Sequence, residues 1–223
     1  MSRKTLVSWS SGKDCAWALH VLSQDPCIEV VGLFSTVNRV FDRVAMHGVR
    51  VDLLKGQAES VGMPLRIIWI PHPCDNDQYE AAMNGFIDEA RAEGIECMAF
   101  GDLFLADVRR YRESRLSGTG ITPLFPLWGA GTGELARRMV SQGVRARVTC
   151  VDSRFLPGDF VGREYDSSFL EEIPQTVDPC GERGEFHTFV FDGPMFLRPV
   201  EISVGERVER DGFVFADIVS KSP

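Results

Sequence analysis

Along the first two-thirds of the chain, short apolar runs alternate with stretches in which apolar residues recur every three or four positions. The runs have the length of buried strands, and the recurring stretches have the period of amphipathic helices. Residues 5–9 form the first run, and a helix over 12–23 follows with Ala16, Ala18, Leu19 and Leu22 on one side. A second strand covers 28–34, and residues 47–61 carry Val51, Leu54, Ala58 and Val61 at helical spacing. Residues 65–70 read as the third strand. A helix over 76–93 with Tyr79, Met83, Phe86, Ile87 and Ala90 comes next, then a fourth strand over 97–100 ended by Gly101. A charged helix near 105–116, another helix over 131–142 and a fifth strand over 145–151 complete the pattern. Strand–helix–strand repetition of this kind predicts an α/β fold, a five-stranded parallel sheet with helices on both faces. Right-handed crossovers place the carboxyl ends of all its strands on one edge, where ligands bind. That edge would hold residues 10–15, Ser35, residues 71–75, Gly101, Asp102 and Asp152.

The last third changes character. Residues 152–159 read as a loop and 164–173 as a short helix stopped by Pro174. Strand-like runs then cover 186–191, 195–204 and 205–220, with Asp211-Gly212 marking a tight hairpin. The expected organisation is a nucleotide-type domain over 1–151 and a smaller α+β lobe over 152–223.

Composition narrows the possibilities. Of 223 residues, 44% are hydrophobic and 25% charged, which excludes a disordered or collagen-like chain. No apolar run reaches the roughly 20 residues that span a bilayer, and the N-terminus reads as a strand and not as a leader. The six cysteines form no C-x-x-C pair, so neither a disulfide framework nor a zinc knuckle is expected and a reducing cytoplasm fits best. The net charge of −8 argues against a nucleic-acid partner. It does not oppose binding of a small anion, for which a few amides and one lysine suffice.

Candidate chemistry concentrates in Ser10-Ser11-Gly12-Lys13-Asp14-Cys15, between the first strand and the first helix. Small residues permit a tight turn, the helix N-terminus offers amides and a positive dipole, and Lys13 adds a mobile charge. Asp14 would brace the loop or orient magnesium. A plain strand-to-helix turn capped by Ser11 would look similar. Asp102 at the ligand edge is a second candidate magnesium ligand or substrate contact. Glu182, Glu185 and His187 cluster near glycines 181 and 184; carboxylates and a histidine there suit an amine acceptor or a metal, and equally a solvated turn. Arg109, Arg110, Arg112 and Arg115 with Glu113 form either a salt-bridged surface or, through Arg110, a phosphate contact. Gly129, Gly131 and Gly133 do not have dinucleotide-loop spacing.

The segment Ser10–Cys15 resembles the SGGxDS pyrophosphate-binding loop of the PP-loop ATP pyrophosphatases, with Ser11 where the pattern has glycine and Cys15 where it has serine. The run from Gly101 to Glu113 (GDLFLADVRRYRE) and the run from Pro179 to Phe189 (PCGERGEFHTF) resemble two segments of the diphthine–ammonia ligase family. In the second, Phe186-His187 stands where that family has Tyr-Glu. The resemblance implies a Rossmann-like, PP-loop sheet and an ATP-dependent, amide-forming ligase. It would activate a carboxylate as an adenylate, releasing AMP and pyrophosphate. Phosphates would rest on Ser10, Ser11, Gly12, Lys13, Asp14 and Cys15, and adenine over residues 33–35, including Phe34 and Ser35. His47, Gly101 and Arg110 complete the nucleotide contacts. Lys13, Asp102, Glu182, Glu185 and His187 would serve catalysis, with magnesium on Asp14 and Asp102. ATP, a carboxylate acceptor and ammonia or an amine are the implied partners, no membrane is involved, and a homodimer is compatible. A nucleotide sensor or a tRNA-modifying PP-loop enzyme would share the loop.

Overall fold

The computed structural model describes residues 2–40, 43–44 and 49–221. The elements are β1 (Arg3–Ser8), α1 (Lys13–Leu22), β2 (Ile28–Asn38), β3 (Arg43–Val44), α2 (Val51–Val61), β4 (Leu65–Ile70), α3 (Asn76–Ala92) and β5 (Cys97–Ala99). They continue as α4 (Ala106–Leu116), β6 (Thr122–Leu124), α5 (Thr132–Ser141), β7 (Arg145–Asp152), α6 (Ser167–Glu172), β8 (Phe186–Asp192), β9 (Ile202–Arg210) and β10 (Phe213–Ser220).

Five parallel strands lie in the order β4-β2-β1-β5-β6, and β3 adds antiparallel to the far end of β2. The parallel α/β sheet is as expected, but its fifth strand is not the one expected. Residues 145–151 belong to β7, which lies between β8 and β10 in a separate antiparallel sheet of order β8-β7-β10-β9. The fifth parallel strand is Thr122–Leu124, too short to show a pattern and carrying Pro123. A proline is tolerated there because β6 lies on the sheet edge, where an amide can go unused. A run of apolar residues announces a strand but not the sheet that receives it.

The remaining boundaries differ for local reasons. α2 starts at Val51 behind Arg50, so the expected helical start at His47 falls outside the described residues. β2 continues to Asn38 because β4 pairs with its second half from Leu33 onward. The expected helix over 164–173 shrinks to Ser167–Glu172, fixed by Asp166, whose carboxylate accepts from the Phe169 amide at 2.9 Å. The hairpin is present: Asp211 and Gly212 both have positive φ (53° and 81°), as a two-residue turn joining β9 to β10 requires.

Alternation along β1 sends Leu6 to one face of the parallel sheet and Val7 to the other. Leu6 meets Phe34, Phe86, Ile87 and Leu116 in a core under α3 and α4. Val7 joins a larger core with Trp17 and Leu54 of α1 and α2, and with Val148, Phe186, Phe189 and Val214 of the antiparallel sheet. The second sheet is therefore packed through α1 and α2, with β8 close to the start of α1. No helix among the described residues is long and apolar enough to cross a membrane.

Candidate functional site

The turn between β1 and α1 is held by partners remote in sequence. Ser11 has φ 73°, a left-handed conformation that favours glycine. Its carbonyl accepts from the Val190 amide at 2.9 Å and from Gln57 Nε2 at 3.0 Å. Gln57 is fully buried; it also donates to the Val190 carbonyl at 2.5 Å and accepts from the Trp9 indole at 2.9 Å. The Lys13 amide donates to Thr188 Oγ1 at 3.2 Å. Ser11 is not the helix cap: that position is Gly12, which has no side chain to offer, and Ser11 Oγ is buried without a hydrogen-bond partner. Gly101 closes on the turn from β5, where a Cβ would come 3.0 Å from the backbone of Asp14 and Cys15.

Lys13 is not the mobile loop charge that the sequence suggested. Its side chain is 2% exposed. The ammonium pairs with Asp14 at 2.9 Å, donates to the Cys180 carbonyl and lies 5.3 Å from the ring centroids of Tyr165 and Phe186. Burial alone would lower its pKa, but Asp14 and the other negative groups around it turn the net shift upward. Burial lifts the Asp14 carboxyl against the pull of Lys13, and Asp14 Oδ1 is buried with no partner.

The opposite wall comes from the segment before β8. Gly181 bends it with φ 66°, where a Cβ would lie 2.7 Å from the Phe186 carbonyl. Its carboxylates have different positions. Glu185 is 1% exposed, and it accepts from the amides of Asp178 and Arg183, each at 3.0 Å; it holds the turn and does not line the cavity. Glu182 reaches the other way and accepts from the Leu103 amide at 2.8 Å. Its pKa is pushed up to about 7, mainly by burial, with Asp14 and Asp102 contributing. His187 is pushed down to about 4 by burial and by Lys13, so it is neutral at pH 7.

Between these walls is a cavity of about 220 Å³. It brings together Ser10, Gly12, Lys13, Asp14, Cys15, Gly101, Asp102, Glu182 and His187 from among the sequence candidates. Phe34 and Ser35 are not among its lining residues; both are buried in the middle of β2, with Phe34 packed 5.1 Å from Phe86, because the strand ends later than expected. Arg110 is exposed on α4 and lies outside the cavity, and His47 is outside the described residues. Arg112 enters in place of Arg110: it pairs with Asp102 at 2.6 Å, and its guanidinium lies 4.4 Å from the Phe100 ring centroid.

Helical spacing held the signal for Arg112, since Arg109 and Arg112 stand three and four residues apart on the face of Leu116, the buried residue of α4. Gln57 was likewise visible as a polar residue on the apolar stripe of Leu54 and Val61. Thr188 and the Cys180 carbonyl carried no such mark. Cys15 and Cys180 are buried with thiols pushed up to about 11 and about 12, which suits packing and not sulfur transfer. All six cysteines are unpaired. Among the described residues no three His, Cys, Asp or Glu side chains form a metal cluster. The orphaned Asp14 oxygen, with Asp102 in the same cavity, still fits a magnesium ion that takes most of its ligands from phosphate and water.

Two family models match the chain: the diphthamide synthase N-terminal domain over residues 3–121 and the diphthamide synthase C-terminal domain over residues 132–221. The diphthine–ammonia ligase of Homo sapiens is 28% identical over 151 residues, 65% of this chain and 56% of that protein. The one from Danio rerio is 28% identical over 187 residues, 75% of this chain and 71% of that protein. The chain thus spans little more than half the length of its human match. With both domain models in order along one chain, the protein belongs to the diphthamide synthase family, that of the diphthine–ammonia ligases.

Proposed function

We propose that the protein is an ATP-dependent ligase that joins ammonia to a substrate carboxylate. The observation that carries this reading is the cavity itself, an anion-binding turn at the start of α1 facing a carboxylate of raised pKa, Glu182. At about 220 Å³ the cavity is below the roughly 300–1,000 Å³ of pockets that enclose whole drug-sized ligands, so it receives the phosphates and the reacting groups. The first turn of α1 and the buried charge of Lys13 attract the triphosphate. Asp14 and Asp102 would hold magnesium, which offsets phosphate charge.

In the first step a carboxylate oxygen of the acceptor attacks the α-phosphorus, and the bond to pyrophosphate breaks. In the second, ammonia attacks the acyl carbon, AMP leaves and the nitrogen sheds a proton. Glu182 takes that proton; a carboxylate titrating near 7 is matched to the task at neutral pH. His187, neutral and at the cavity wall, orients the incoming amine without repelling it. Glu185 is a positioning residue that shapes the turn bearing Glu182. The parallel sheet serves ATP and the antiparallel lobe serves the acceptor.

Incubation with radiolabelled ATP, ammonium chloride and a diphthine-bearing peptide tests this. AMP and pyrophosphate, formed only when the peptide is present, are the expected products. ADP with phosphate, or no turnover, overturns the reading. The rate should rise with pH through about 7 as Glu182 ionises. Glu182→Gln should remove that rise and slow turnover by about 10²–10⁴.

A further inference from the structure

β9 is the outermost strand of the antiparallel sheet, and no described strand lies beyond it. It runs from Ile202 to Arg210, and every residue from Val204 to Arg210 is exposed. An edge strand of this length offers a row of amides and carbonyls to another chain. Their direction follows from the neighbouring strands. The Gly212 carbonyl accepts from the Ser153 amide at 3.0 Å, so Gly212, Val214 and Ala216 turn their backbone polar groups toward β7. Phe213 and Phe215 turn theirs the other way, toward Arg210 and Val208, their partners in β9. Alternation along β9 then leaves the amides and carbonyls of Arg207 and Glu209 pointing away from the sheet.

Charges on an edge strand ordinarily keep other strands away. Here they are arranged to admit one. In Glu206-Arg207-Val208-Glu209-Arg210, residues at equal distances on either side of Val208 carry opposite charges. When an identical strand is laid antiparallel, outward-facing residues oppose outward-facing residues, so the two-fold axis falls on a residue. On any of the charged residues of this run it would set that residue against its own copy, like against like, which is unfavourable. On Val208 it sets Arg207 against the partner's Glu209 and Glu206 against the partner's Arg210, each pair occurring twice.

Apolar contact falls on the same axis. Val208 is exposed and lies opposite Phe215 in the sheet, so the row from Phe215 through Val208 continues into the partner's Val208. Little is given up in exchange. Glu206 and Glu209 make no ion pair with a described residue, and Arg210 holds only the exposed Asp211 at 3.1 Å. Arg207 spends one nitrogen on the Val161 carbonyl at 3.2 Å and keeps the rest of its guanidinium.

We propose that β9 is a self-pairing edge: a second copy of this chain docks antiparallel about a two-fold axis at Val208, joining two four-stranded sheets into one continuous sheet. No residue of β9 or β10 lines the nucleotide cavity, so the pairing leaves the walls of that cavity unchanged.

Sedimentation velocity on the intact chain tests this. Contact through one strand from each copy makes a small interface, so dimer should appear as the concentration rises from about 1 to about 200 µM. Arg207→Glu and Glu209→Arg each set like charges face to face on both sides of the axis, and each alone should weaken dimerisation about tenfold. Mixed in equal amounts, the two variants regain opposite charges at those positions, and a heterodimer of near wild-type strength should form. Glu209→Pro removes an outward amide and no bond to β10, and it should abolish pairing. Thermal melting checks that each variant is folded, and the two charge variants carry the test where the proline is not tolerated. A wild-type chain that stays monomeric at the highest concentration, a dimer indifferent to both charge variants, or variants that fail to recover on mixing would each overturn the proposal.

Discussion

The two loops that face each other across the cavity are held in different ways. Residues 10–15 take their shape from far away: the bonds that hold Ser11 and Lys13 come from Gln57, Thr188 and Val190. Residues 178–185 tie themselves, since Glu185 bonds to the amides of Asp178 and Arg183, and Asp178 bonds to that of Glu182 at 2.9 Å. The shape of the first loop depends on remote residues, whereas the second adds these internal bonds to remote ones with Lys13, Leu103 and Tyr165. A loop of the first kind is fixed before a ligand arrives. In the second, the internal bonds of Glu185 can open without disturbing the core.

Lys13→Ala should strain this contrast most. It leaves Asp14 and the Cys180 carbonyl without their cation and opens space beside two rings, so unfolding in urea should show a loss on the order of 4 kcal/mol. An unchanged urea midpoint would show that Lys13 belongs to a loop independent of the core. Gln57→Leu strips partners from Ser11, Val190 and Trp9 together, and a global loss of about 3 kcal/mol is expected. Glu185→Gln retains one acceptor oxygen, so its cost should be about 1 kcal/mol and should register as faster hydrogen exchange at Asp178 and Arg183 with little change in the global midpoint. If Gln57→Leu proved local and Glu185→Gln global, the comparison would be reversed. The smallest change has the opposite sign. Ser11→Gly relieves a positive φ and removes a buried hydroxyl with no partner, and it should raise the urea midpoint by an amount equivalent to about 1 kcal/mol.

Much of this was legible in the residues. Alternation of apolar runs with helical spacing gave four of the five parallel strands, and small residues with a lysine and an aspartate after the first strand marked the cavity. What escaped had physical causes. Thr122–Leu124 is three residues long, and its role depends on β5 being there to pair with it. Residues 145–151 have the same apolar character in either sheet, so only the location of β8 and β10 decides between them. Lys13 looked exposed because a lysine after a glycine usually is, and nothing local announces that Cys180, Tyr165 and Phe186 will close over it. Glu182 and Glu185 stand three residues apart with similar neighbours. Which one faces the cavity is settled by the turn at Gly181, a tertiary matter.

The Ser11 carbonyl has one further implication, for cutting the molecule apart. It is shared between a helix of the parallel sheet's own layer and a strand from the last quarter of the chain. A truncated protein ending near residue 131 could retain its sheet, β6 included, and still present the turn in the wrong shape, and should be blind to nucleotide. Supplying residues 132–221 as a separate polypeptide would then restore binding by docking alone. The two halves would then serve as a split receptor, with ATP binding as the readout of their reassembly.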